Sequence, residues 1–313
     1  YNAVLPGWSV DDVIGSPYCI VSYTINKELG TEDDIRWLRS KLHEYGMKLM
    51  LDYVPNHSAM DAPEITTKKN FYIRSPSGQP LDERKFMSNG IAYGCGEWCD
   101  PWTDVAQFNY FDDEFRESRF TLLERLAGLC DGVRCDMAHL VINDKFAKYW
   151  SAELAAWGYT RPSEEFWVVA IRRAKAINPD FHFMAECYSD TLNTLMGFGF
   201  DSVYDKECID LLVSHNVEGL KNRVRSFNEP EKYRLAHFTE NHDEPRTMST
   251  YWNWSPAADA AAGALLTLPG IRFVFQDQWL GLAKKLDVHL RRALDEPSRP
   301  DVVEFYKKLF SIL

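Results

Sequence analysis

The sequence predicts an α/β fold with a parallel sheet. Six short apolar runs alternate with longer segments of helical spacing, which calls for parallel crossovers. Four of those runs end in polar or charged residues that are hard to place in a core. With 313 residues, 45% of them apolar, the chain can bury a full core in one or two domains and is not disordered.

The elements follow in order. Thr31-Glu-Asp-Asp34 opens a helix, with a hydroxyl for the free N–H groups and acids at the positive dipole end. Ile35, Leu38 and Leu42 form its apolar stripe, and Gly46 stops it. MKLMLDYV at 47–54 reads as a buried strand. From about 58 to 111 the chain is dotted with Gly, Pro and aromatics, which reads as a long loop insertion, usually a functional feature. A helix over 113–129 leads into GVRCDM at 132–137, and helical stretches over 144–157 and 163–177 precede FHFMAECY at 181–188. FGFDSVYD at 198–205 is the next strand, and a helix then leads to YRLAHFTE at 233–240. Ser255-Pro256 opens an Ala-rich helix, IRFVFQD at 271–277 is the last strand, and 301–313 is helical. Two architectures stay open on this pattern, a doubly wound sheet and a barrel. No strand is followed by a Gly-rich loop, so a dinucleotide or P-loop site has no support.

Composition narrows the function. A net charge of −11 and a pI near 5.3 argue against a nucleic-acid binder, whose affinity rests on basic side chains neutralising phosphates. No membrane span is expected, because the most apolar stretch, 257–275, is broken by Asp259, Pro269 and Arg272. No signal peptide is visible, and a chain that does not begin with Met reads as a fragment. The seven cysteines are too few and odd in number for a disulfide scaffold. Cys95 and Cys99 form a C-x3-C that reads as two loop thiols rather than a disulfide or half of a metal site, since no second Cys/His pair lies close by. The acidic balance and core thiols lean towards a cytoplasmic protein. Aromatic residues make up 14% of the chain, and their flat apolar faces suit sugar rings.

The polar strand ends carry the chemistry. The first strand runs into Asp52, Asn56 and His57; the second carries Arg134 and Asp136; the third carries Glu186; the fifth is followed by Asn241-His242-Asp243. Several carboxylates with little else suit glycoside hydrolysis. One attacks the anomeric carbon, one protonates the leaving oxygen, and a separation of about 5–5.5 Å gives retention. Strand alternation puts Arg134 and Asp136 on one face and turns Cys135 to the other, and Cys187 likewise points away from Glu186, so both thiols read as small core residues.

Four segments, LDYVPNH (51–57), GVRCDMAH (132–139), MAEC (184–187) and FTENHD (238–243), resemble in order the signature regions of the α-amylase family, glycoside hydrolase family 13. GSPY at 15–18 and AQFN at 106–109 extend the resemblance over most of the chain. It implies a TIM-type (β/α)8 barrel as one catalytic domain over 1–313. It implies Asp136 as nucleophile, Glu186 as general acid/base and Asp243 as transition-state stabiliser. Arg134 would orient Asp136, His57 and His242 would hydrogen-bond the sugar, and Tyr18 would stack on it. Asp52 would be a supporting residue tied to Arg134, with Asn56 and Arg246 also supporting.

The resemblance implies a retaining hydrolase of α-glucosidic bonds in α-glucans or maltooligosaccharides, with no cofactor. Its alternatives are a transglycosylase using the same covalent intermediate and a non-catalytic sugar- or partner-binding relative. Calcium is a weak option, because Gln107 stands where many members place an Asp beside Asn56. His139-Leu140 stands where starch-cleaving endo-amylases usually have Lys-His, and NHDEPR with Arg246 is nearer to oligosaccharide-acting members. Trp98 and Trp102 are candidates for acceptor-side stacking. Against the family's eight strands, the two before Asp52 and the C-terminal β-domain are missing, so the chain is expected to be N-terminally truncated. Linkage, endo or exo action, hydrolysis or transfer, and oligomeric state are not legible.

Overall fold

The computed structural model describes residues 1–96, 100–188 and 190–313. The chain divides into two compact units, one over Tyr18–Val203 and one made of Tyr1–Pro17 with Tyr204–Leu313.

The first unit begins with helix α1 (Glu32–Glu44). Its start is the expected capping box: Asp34 N–H donates to Thr31 Oγ1, and Thr31 N–H donates to Asp34 Oδ2 at 2.7 Å. Gly46, with φ +70°, turns the chain out of the helix. Strand β1 (Met50–Tyr53) follows. The stretch expected as a loop is structured: β2 (His57–Ala59), helix α2 (Glu64–Thr67), β3 (Tyr93–Gly94) and β4 (Trp102–Gln107), with the three strands forming an antiparallel sheet in the order β2-β4-β3. These strands are only two to six residues long and one register shifts at Tyr93/Gly94, so no clear period-2 pattern marks them.

Helix α3 (Asp113–Leu129) is capped by Asp112, whose carboxylate accepts from Phe115 N–H at 2.8 Å. Then come β5 (Gly132–Cys135), α4 (Asn143–Tyr149), α5 (Ser151–Ala156), α6 (Phe166–Ile177), β6 (His182–Ala185), α7 (Leu192–Phe198) and β7 (Ser202–Tyr204). In this unit β1 pairs with β5, β5 with β6 and β6 with β7, all parallel. Gly132 is required where β5 meets β6, because a Cβ there would stand 2.5 Å from the His182 carbonyl oxygen. The core is aromatic: Tyr110 packs edge-on to Phe115 and Phe166, and Trp167 to Tyr53 and Phe200. Cys135 and Cys187 lie in it, fully buried, as alternation predicts.

The α1 stripe behaves differently from expectation. No residue of α1 is buried, and Leu38 is exposed. β1 is the edge strand of its sheet, and Met50 is exposed as well.

The second unit contains α8 (Lys206–Val213), α9 (Val217–Arg225), β8 (Leu235–His237), α10 (Thr247–Thr250), α11 (Ser255–Leu266), β9 (Ile271–Arg272) and α12 (Pro300–Ile312). β8 and β9 are parallel, with Ala236 opposite Ile271. Met248, Tyr251, Ala262, Leu266 and Tyr306 form its core. The N-terminal segment is fastened here by Asp12, which takes Arg292 Nε at 2.6 Å and Nη2 at 3.0 Å. No helix among the described residues is long and apolar enough to cross a membrane.

Candidate active site

Arg134 organises the charged cluster of the first unit. It lies near the end of β5 and is level with Asp52 of β1 in the parallel register. Its Nη1 donates to Asp52 Oδ1 at 2.9 Å and to Asp136 Oδ1 at 3.0 Å. Its Nη2 stands 2.7 Å from Glu186 Oε2. Asp136 and Glu186 are each one residue beyond the paired Cys135 and Ala185, so adjacent parallel strands deliver both carboxyls to the same guanidinium. All three side chains are buried, whereas Asp52 is exposed.

The backbone reinforces this placement. Asp136 N–H donates to the Tyr53 carbonyl at 2.9 Å, and Glu186 N–H to the Cys135 carbonyl at 3.0 Å. Met137 adopts a left-handed backbone, φ 42° and ψ 42°, and its N–H donates to Glu186 Oε2 at 2.9 Å. Tyr18 hydroxyl donates to Asp52 Oδ2 at 3.2 Å, and its ring faces the Arg134 guanidinium at 5.6 Å. Burial and the neighbouring Glu186 charge push the Asp136 carboxyl well above the ordinary carboxylate range, with Arg134 pulling it back.

Asn56 immediately precedes β2 and His57 is its first residue, both buried. The His57 ring meets Trp102 edge-on at 5.5 Å. Burial lowers His57 from 6.5 to about 4, against the pull of Asp104, so the ring is neutral near pH 7. Gln107 Nε2 donates to Asn56 Oδ1 at 3.0 Å. Gln107 thus turns its amide nitrogen, not its oxygen, towards Asn56. Trp98 and Cys99 lie outside the described residues.

His242, Asp243 and Arg246 belong to the second unit. His242 Nε2 lies 3.0 Å from Asp243 Oδ2, and Asp243 N–H donates to Asn241 Oδ1 at 2.8 Å. Arg246 is buried; it pairs with Glu240 at 2.8 Å and donates to the Gln276 carbonyl at 2.8 Å. It therefore braces the segment between β8 and α10 from inside. Sequence reasoning missed Glu240 as its partner. It also missed a buried carboxylate, thiol and imidazole, those of Asp205, Cys208 and His237, whose donor atoms lie within 4.8 Å of one another. Asp205 and Cys208 are three apart at a strand-to-helix junction, a weak signal, and His237 joins them only through the fold.

The sequence matches the family model for the α-amylase catalytic domain over residues 16–301. The chain belongs to the α-amylase catalytic-domain family. Among curated α-amylase-family relatives, it is 28% identical to Alpha-amylase MalA of Haloarcula japonica, over 85% of this chain and 36% of that protein. It is 23% identical to Alpha-amylase 3 of Dictyoglomus thermophilum, over 86% of this chain and 54% of that one. The chain thus spans about half or less of the length of these relatives. Among solved structures, an α-amylase from Lactobacillus plantarum superposes with a TM-score of 0.72 at 25% identity, covering 99% of this chain and 70% of that one. These matches decide between the two architectures left open by the sequence: the strand–helix alternation is that of the α-amylase TIM-type barrel.

Proposed function

We propose that the chain is the catalytic domain of a retaining glycoside hydrolase that cleaves α-glucosidic bonds of oligo- or polysaccharides. The observation that carries the reading is the shared guanidinium: Asp136 and Glu186, on adjacent strand ends, both contact Arg134. Carboxyls so placed suit the spacing of about 5–5.5 Å that gives retention.

In the first half-reaction the ionised Asp136 attacks C1 of the sugar. The bond from C1 to the leaving oxygen breaks, and Glu186 gives its proton to that oxygen. In the second, Glu186 takes a proton from water, the water oxygen bonds to C1, and the ester to Asp136 breaks. With Glu186 protonated, the charge that helps raise Asp136 is removed, and Arg134, which donates to Asp136, favours its ionised form. Once Glu186 is protonated, its contact with Arg134 loses charge attraction, while Met137 N–H still holds the carboxyl in place. Tyr18 would stack on the sugar, with His57 and His242 as hydrogen-bond partners. Asp243 would hold ring hydroxyls and stabilise the transition state. A sugar hydroxyl in place of water would give transfer by the same steps.

Turnover of an aryl maltoside by the purified chain, with release of the α-anomer first and loss of activity in Asp136→Asn, tests this reading. Release of the β-anomer first, or full activity in Asp136→Asn, overturns it.

A further inference from the structure

A second cluster lies wholly within the second unit and takes no part in the chemistry above. Asp205 immediately precedes α8, Cys208 is in its first turn, and His237 ends β8. All three are buried, none more than 1% exposed. His237 Nε2 lies 3.1 Å from the Pro269 carbonyl oxygen, a contact that requires a proton on Nε2. The ring is also held by Phe227, stacked at 5.7 Å and 30°. Its Nδ1 is therefore aimed, by a fixed ring, at Asp205 Oδ2 3.2 Å away.

That contact is close but not a well-formed hydrogen bond. Asp205 Oδ2 and His237 Nδ1 are both buried, and neither has an aligned partner. Two donors of one zinc ion, each about 2.0–2.1 Å from it at the tetrahedral angle, stand about 3.3 Å apart. The observed 3.2 Å matches that spacing, and Cys208 Sγ is the third donor within 4.8 Å. The other Asp205 oxygen is fixed from outside by Arg223 Nη2 at 3.1 Å, and Arg223 Nε lies 3.1 Å from Glu207. Such outer partners orient metal ligands.

We propose that Asp205, Cys208 and His237 form a structural site for one divalent transition-metal ion of the zinc class, tying β8 to the start of α8. Imidazole and thiolate donors select zinc-like ions over calcium or magnesium. On binding, Cys208 releases its thiol proton to solvent and a metal–sulfur bond forms. One carboxylate and one thiolate neutralise the ion, and Arg223 is balanced by Glu207. Three protein donors leave a fourth position for water.

The test uses the whole chain, stripped with a chelator and titrated with Co²⁺ or Zn²⁺. We expect one equivalent of Co²⁺ to give a thiolate-to-cobalt band in the near ultraviolet. Cys208→Ser should abolish the band, and His237→Gln should weaken Co²⁺ binding about 10-fold or more, since even outer-shell partners are worth that much. A band that survives in Cys208→Ser, or no band in the parent, overturns the proposal. Should the variants fail to fold, the His237 ring of the parent decides: at equimolar Zn²⁺ its Nδ1 carries metal and no proton. A ring protonated on both nitrogens would instead make the cluster a buried imidazolium–carboxylate pair.

Discussion

Met137 donates its backbone N–H to Glu186 Oε2 at 2.9 Å from a left-handed conformation that places it directly after Asp136. The strain of a non-glycine residue at φ 42° thus aims a peptide dipole at the second carboxyl and ties the ends of β5 and β6 together. Glu186 holds a fixed position because it serves this amide as well as Arg134.

Glu186→Gln keeps an acceptor for Met137 N–H and removes the charge. The Asp136 carboxyl, raised by burial and then by Glu186, should titrate at lower pH in the variant. Carboxyl carbon NMR across pH 3 to 8, together with an unchanged fold by circular dichroism, checks this. An unmoved Asp136 signal would mean that the Glu186 charge does not help to raise it.

Arg134→Met should destabilise the fold in a pH-dependent way. Leaving buried carboxylates without their cation costs about 3–5 kcal/mol when they stay ionised. The pair can escape that cost by protonation, so the loss should be largest near pH 8 and shrink towards pH 5. Arg134→Lys should recover only part of it, because one ammonium cannot replace a guanidinium spread over Asp52, Asp136 and Glu186. Urea unfolding of the three proteins at both pH values is the measurement.

These charged residues were the most legible part of the chain. A lone charge at a strand end has a bland explanation, but several on four strand ends do not, so Arg134, Asp136 and Glu186 stood out, and the parallel register then brings them together. The helix over 113–129 was legible to its end residues because Asp112 caps it and its apolar face is buried. The α1 stripe misled, since periodicity states which face is apolar and not whether anything covers it. The small sheet of β2, β3 and β4 was invisible because its strands are held by long-range pairing, such as His57 opposite Gln107, rather than by local preference. Arg246 was noticed for its motif, yet its pairing with Glu240 depends on a turn that sequence does not reveal.

His57 should resist protonation in the folded protein. Burial holds it near 4, while the unfolded chain titrates near 6.5. Its stabilising contribution is therefore full above pH 6.5 and is lost as pH falls towards 4, by about 3 kcal/mol in all. His57→Asn should flatten that acid limb of the stability curve. Ring NMR at pH 5.5 should still find His57 neutral; a charged ring at that pH would contradict its burial against Trp102.

Asp259, in α11, offers the opposite sign. Burial, then the nearby Asp301 charge, raises it to about 6 against the pull of Arg299, and its Oδ1 is buried with no hydrogen-bond partner. A carboxyl whose folded value exceeds its unfolded one supplies stability below the unfolded value, and that stability is lost as pH rises through about 6. Asp259→Asn removes the charge and keeps the shape, so it should raise stability at pH 8 and leave it nearly unchanged at pH 4. The side chain is only partly buried, so water screens the cost and the gain should be about 1 kcal/mol. The difference between the two pH values isolates the charge, because the amide of Asn meets the same surroundings at both. Thermal unfolding of parent and variant at pH 4 and pH 8 measures it, and an equal shift at both pH values would assign the effect to packing instead.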